Sequence, residues 1–220
     1  MAGRPKRLAS ITPKSVAWGF MALNAVGTAA VALRYALPKV PFPTPLPNFY
    51  ERHGWLVAHA IVSAIALLVG PWQFRAGFRD QYRTAHRALG RIYCLAVVVG
   101  WITSLPMAAH AQSGVAASAG FLALGAVWIA TTAAAYVAVR KGRVQSHREW
   151  MIRSYSATLA AVTLRSYLPL LLVAGVPLRT SYPLVAWICW MPNLAVAEWL
   201  VRRRSAHALA RSRDAADALA

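Results

Sequence analysis

Six stretches of about twenty or more mostly apolar residues dominate this chain, and no other feature restricts its fold so strongly. They run over 15–37, 54–74, 88–109, 115–139, 152–175 and 182–201. Each is long enough to cross a hydrocarbon layer as a helix. The expected fold class is all-α and integral to a membrane: a six-transmembrane-helix bundle over 15–203, between basic tails at 1–14 and 204–220. Composition agrees, with 58% hydrophobic and 14% charged residues, against about 25% charged in ordinary globular domains. The first run, of about 22 residues, exceeds the apolar core of a signal peptide, so it reads as an anchor.

The net charge of +18 is that of many nucleic-acid-binding proteins. Its distribution argues for membrane topology instead and for no nucleic-acid partner, because the basic residues cluster between the apolar runs. Nineteen fall in the N-terminal tail, the second connection, the fourth connection and the C-terminal tail. Four, Arg34, Lys39, Arg52 and Arg179, fall on the other side, and Arg165 lies within a run. Positive charge favours the cytoplasm, so both termini are expected there. The even helix count requires the same. The basic loops and tail should meet anionic headgroups of membrane lipids. The outer connection 38–53, with five prolines, should be extended and exposed.

Two connections resemble each other. "FRAGFRDQYRTAHRALGRIY" and "VRKGRVQSHREWMIRSY" both read Arg-x-Gly, a basic stretch, His-Arg, then Arg and Tyr. Each joins an outside-to-inside helix to its return, so the pair reads as a parallel repeat of two helical hairpins. His86 and His147 then occupy equivalent depths at the cytoplasmic face.

Ionisable residues inside a bilayer are costly and usually face the bundle interior. His59 shares one stripe with Ser63, Gly70 and Gln73, and His86 shares one with Gly90, Tyr93, Gly100 and Ser104. Arg165 lies 12 residues beyond Arg153, roughly 18 Å along the helix. Pro169 should kink that helix, and Asn193 is placed to hydrogen-bond Arg165. Glu198 should pair either with Arg202 one turn on or with a group facing the bundle, such as His86, His147 or a loop arginine. Cys94 and Cys189 lack any metal or redox spacing and read as small hydrophobes.

With "HRALGRIY", "HREWMIRSYSATLAAVTLRSYLPLLL" and "WICWMPNLAVAEWL" in view, the chain resembles the bacterial predicted membrane proteins of domain of unknown function 2306, over about His53 to Arg203. The shared pattern falls on His59, Gly70-Pro71, His86-Arg87, Gly90, Tyr93, His147, Trp150-Met151, Arg153-Ser154, Leu164-Arg165, Asn193 and Glu198. The resemblance implies a bacterial inner membrane and no established activity.

Three functional readings follow. His86 and His147, with His59 as a further candidate, could hold haem b or a quinone in a membrane redox protein, haem iron being the only metal considered. The repeat, the proline-containing helices and Arg165 suit a small transporter or proton-coupled permease, which at this size would function as a homodimer. Arg165, Asn193, Glu198, Gln73 and Tyr93 would hold a ligand or, in a non-enzymatic protein, form a structural polar core. Hydrolysis has little support, since G-x-S-x-G and H-E-x-x-H are absent and the chain holds six acids.

Overall fold

The structure, a computed structural model, describes residues 12–37, 51–111 and 113–217. Most of the basic tail 1–14 and of the proline-rich connection 38–53 lie outside these residues. Every regular element described is helical: α1 Pro13–Leu33, α2 His53–Phe74, α3 Ala76–Gln81, α4 Arg83–Ala109, α5 Val115–Arg140, α6 Val144–Thr158, α7 Ala160–Val173, α8 Leu178–Ile188 and α9 Met191–Asp217, with a 3-10 turn at Arg34–Ala36. Six segments are long and apolar enough to cross a membrane: Ser15–Ala36, His53–Phe74, Arg83–Ala109, Val115–Arg140, Val144–Val173 and Leu178–His207. The protein is a membrane-embedded, multi-pass helical bundle.

Local signals set the helix ends. Thr12 and Ser15 form a reciprocal capping box at the start of α1, with Pro13 in the first turn. The turn from α5 to α6 is a Schellman motif: Gly142 adopts φ 71°, its N–H donates to Val139 O, and Arg143 N–H donates to Ala138 O. That tight reversal lays α6 back along α5. The second and third spans, α2 and α4, pair likewise, as the two-hairpin reading requires. The second connection is more than a loop, because α3 occupies part of it.

Lipid tails are as apolar as leucine, so helices associate through close packing of small residues rather than through the hydrophobic effect. The buried side chains fit this, with Ala25, Ala29 and Ala32 lining α1 and Ala60, Ala64 and Ala66 lining α2. Phe20, Leu23 and Val26 of α1 are exposed, as lipid-facing groups should be.

The last two spans are interrupted. The fifth breaks at Leu159, between α6 and α7, and not at Pro169, which lies inside α7. Hydroxyls just before this break bond back to their own helix. Ser156 donates to Arg153 O and Thr158 to Ser154 O, a pattern that often bends helices. The sixth breaks at Cys189 and Trp190. Pro192 follows, and its ring would clash with the Ile188 carbonyl of a continued helix.

Candidate ligand site at the basic end of the bundle

Four layers of polar contacts occupy the bundle, and three of them are self-contained. The innermost centres on Tyr93, which is fully buried. Its hydroxyl bonds Ser154 Oγ and Thr158 Oγ1, each at 2.8 Å. Trp128 Nε1 donates to Thr158 Oγ1 at 2.8 Å, and Thr132 Oγ1 meets Ser154 Oγ at 2.7 Å. Nearby, Tyr155 threads its ring into a notch at Gly70 and donates its hydroxyl to Leu67 O at 3.0 Å. Tyr93 is thus a structural hub joining α4, α5 and α6.

His59 lies further from the basic end. Its Nδ1 bonds Gly100 O at 2.9 Å, and a carbonyl only accepts, so Nδ1 carries the proton. Nε2 then accepts from Ser63 Oγ at 3.3 Å. The two stripes read from α2 and α4 therefore face each other here. Both ring nitrogens of His59 thus have hydrogen-bond partners within the protein. Arg165 lies within electrostatic reach of His59 and bonds the Tyr35 side chain and, through Nη1, Ala161 O at 3.1 Å. His59→Leu is expected to lower thermal stability by about 1–2 kcal/mol, since interhelical hydrogen bonds in membranes average about 0.6. A detergent melting curve measures this.

Asn193 does not bond Arg165. It ties the two helix interruptions together, because Nδ2 lies within bonding distance of Cys189 O (3.0 Å), Thr163 Oγ1 (3.2 Å) and Ser156 O (3.4 Å). Thr163 Oγ1 also donates to Cys189 O. Breaks expose carbonyls, and these partners satisfy them. Glu198 meets both expectations for it: Oε1 takes Arg202 Nε at 2.8 Å, and Oε2 takes Arg153 Nη2 at 2.7 Å and Nε at 2.9 Å. Arg153, also stacked over Trp150 at 4.8 Å, read from sequence as a topology signal. Nothing local reveals its partner, 45 residues away on another span.

The fourth layer is open. It joins the end of α2, the first turn of α4 and the first turn of α6. His147 Nδ1–H donates to Ala135 O at 2.9 Å, a contact made possible by the Gly142 reversal. This fixes its tautomer and leaves Nε2 as an acceptor. His86 lies within electrostatic reach of His147, Arg79, Arg87 and Asp80. Gln73 is 9% exposed and sits against Gly90, one turn along from His86, with Oε1 3.8 Å from where a Cβ would be. Among the described residues two buried side-chain polar atoms have no hydrogen-bond partner, Gln73 Nε2 and His86 Nδ1. Both belong to this layer. The sequence reading pairs His86 with His147 and places Gln73 in a ligand-binding or structural polar core, without joining Gln73 to the two histidines.

This layer offers a donor in Gln73, an acceptor in His147, a ring nitrogen of either kind in His86, and positive charge close by. It suits a small polar headgroup carrying both acceptor and donor oxygens. A family model described as predicted membrane protein (DUF2306) matches residues 56–201. No curated protein and no solved structure matches the chain.

Proposed function

The chain belongs to the family of predicted membrane proteins (DUF2306), and from that membrane setting we propose that it binds a quinone-type headgroup among Gln73, His86 and His147. One observation carries this reading: the two buried polar side-chain atoms without a partner among the described residues, Gln73 Nε2 and His86 Nδ1, lie in the same layer. A buried polar group left unbonded costs about 1–3 kcal/mol. Such groups persist where another molecule supplies the missing partner. A quinone carbonyl accepts from the Gln73 amide, and the reduced ring's hydroxyl donates to His147 Nε2. Arg79 and Arg87 favour the negative charge that reduction places on the headgroup. The positive-inside bias supports locating this layer at the cytoplasmic side of a bacterial inner membrane.

A second reading, haem b between His86 and His147, is favoured by the orientation of His147. Haem- and metal-binding histidines commonly donate the other ring N–H to a backbone carbonyl, as His147 does to Ala135. The transporter reading draws on the interrupted spans, but the carbonyl at the second break is occupied by Asn193 and Thr163.

The test is a visible spectrum of the detergent-purified protein, then a thermal-shift titration with a short-chain benzoquinone. The parent is expected to gain stability with quinone concentration. Gln73→Leu and His86→Leu should lose that gain, while His59→Leu melts earlier yet keeps it. A parent that shows no shift rejects the quinone reading. A Soret band that disappears in His147→Ala transfers the site to haem.

A further inference from the structure

Away from that layer, two clefts follow one seam between α6 and α9. The one nearer the basic end, about 520 Å³, is lined by Arg148 and Ile152 of α6 and by Val201 and Arg204 of α9, among others. The deeper one, about 370 Å³, is lined by Trp150, Trp190, Met191 and Leu194, with the Arg153–Glu198 pair at its edge. Met191, Leu194, Glu198, Val201 and Ser205 are spaced by three and four residues, so the α9 side of both clefts is one continuous stripe. From Met191 to Ser205 that stripe runs about 21 Å.

The arginines of this seam divide into two groups. Arg153 and Arg202 share the Glu198 carboxylate, and Arg203 lies over Trp199 at 5.3 Å. Arg148 and Arg204 form no salt bridge among the described residues. Glu149 lines the same cleft, but its Oε1 is taken by Gln145 Nε2 at 2.8 Å and Ser205 Oγ at 3.5 Å. Two arginines against one carboxylate leave the cleft positive.

We infer that this seam is a binding site for one anionic phospholipid, its phosphate held by Arg148 and Arg204 and an acyl chain laid along the deeper cleft. A cationic mouth at headgroup level suits a phosphate, as basic pockets between membrane helices generally do. Beyond the mouth the deeper cleft continues from Glu198 to Met191, about 10 Å along α9, and its Trp150, Trp190, Met191 and Leu194 lining suits part of a hydrocarbon tail. A soluble anion would use the first and leave the second empty.

The full chain is purified in mild detergent, incubated with phosphatidylglycerol or with phosphatidylcholine, and examined by native mass spectrometry. The parent is expected to retain one phosphatidylglycerol in preference to phosphatidylcholine. Arg148→Gln with Arg204→Gln should reduce that retention by about tenfold or more. Arg179→Gln, at the opposite end of the bundle, should leave it unchanged. Circular dichroism and melting confirm that the double variant is folded. Arg148→Lys with Arg204→Lys, which preserves the charge, should restore most of the retention if the double glutamine variant fails to fold. Equal retention of the two lipids, undiminished retention in the folded double glutamine variant, or full displacement by inorganic phosphate would overturn the assignment, the last by showing that a soluble anion suffices.

Discussion

Gly70→Ala is expected to prevent the bundle from closing, at a cost of about 3 kcal/mol or more. A Cβ on Gly70 would stand 1.9 Å from Tyr155 Cε2, 2.4 Å from Cδ2 and 2.6 Å from Cζ. The atoms it meets belong to a ring, not to the end of a flexible chain. That ring is 2% exposed, lies 5.4 Å from Phe74 and 6.4 Å from Tyr93 between centroids, and is tethered by its hydroxyl to Leu67 O. Overpacking in a close-packed interior typically costs about 1–3 kcal/mol, and three ring atoms inside contact distance put this site at the upper end. The measurement is the melting temperature and the monodisperse fraction in detergent. Tyr155→Leu in the same chain should recover part of the loss, because it empties the notch. Two single variants that each lose stability and a double variant more stable than Gly70→Ala would show the coupling directly. A Gly70→Ala protein that melts with the parent rejects the notch.

Tyr93→Ala is expected to cost about 3–5 kcal/mol, the usual range for deleting a large buried aromatic ring. Tyr93→Phe should cost about 0.5–1.5 kcal/mol, because it removes only the hydroxyl's net hydrogen-bond contribution. The difference separates ring packing from the network. Phenylalanine leaves Ser154 bonded to Thr132 and leaves Thr158 bonded to Trp128 and to Ser154 O, so no hydroxyl is stranded. Equal losses for the two variants would mean that the hydroxyl network, not packing, holds α4 against α6. Chemical or thermal unfolding in detergent, followed by tryptophan fluorescence, reads both.

What was legible in the sequence was whatever depends on near neighbours or on composition. Six spans followed from run length, and the Glu198–Arg202 pair from one helical turn. The separate stripes of α2 and α4 follow from periodicity, and the structure turns them toward each other at His59 and Gly100. His86 and His147 came together because the repeat placed them at one depth. What remained hidden depends on which side chain meets which across distant spans. Nothing near Gly70 in sequence announces an aromatic ring 85 positions later. Arg153 resembled its basic neighbours until Glu198 was found opposite it. Pro169 reads as a helix breaker, but it is accommodated inside α7 and the fifth span is interrupted earlier, at Leu159, just after hydroxyls that bond back to their own helix. Asn193 was recognised as polar and deep, and its partners are carbonyls and hydroxyls that these breaks bring within reach.

The hub around Tyr93 also orders events in time. Both of its direct partners, Ser154 and Thr158, lie on α6, as does the Tyr155 ring that fills the Gly70 notch. A ribosome synthesises the first four spans before any of these residues exists. At that point the nascent chain holds a vacant notch, a phenol without its partners and an indole N–H waiting for Thr158. The early hairpin can insert, tied by the bond from His59 to Gly100 O but without the contacts that α6 brings. Arrival of a single later helix closes the notch and completes the network together, so the first four spans reach their final packing only after the fifth has been made.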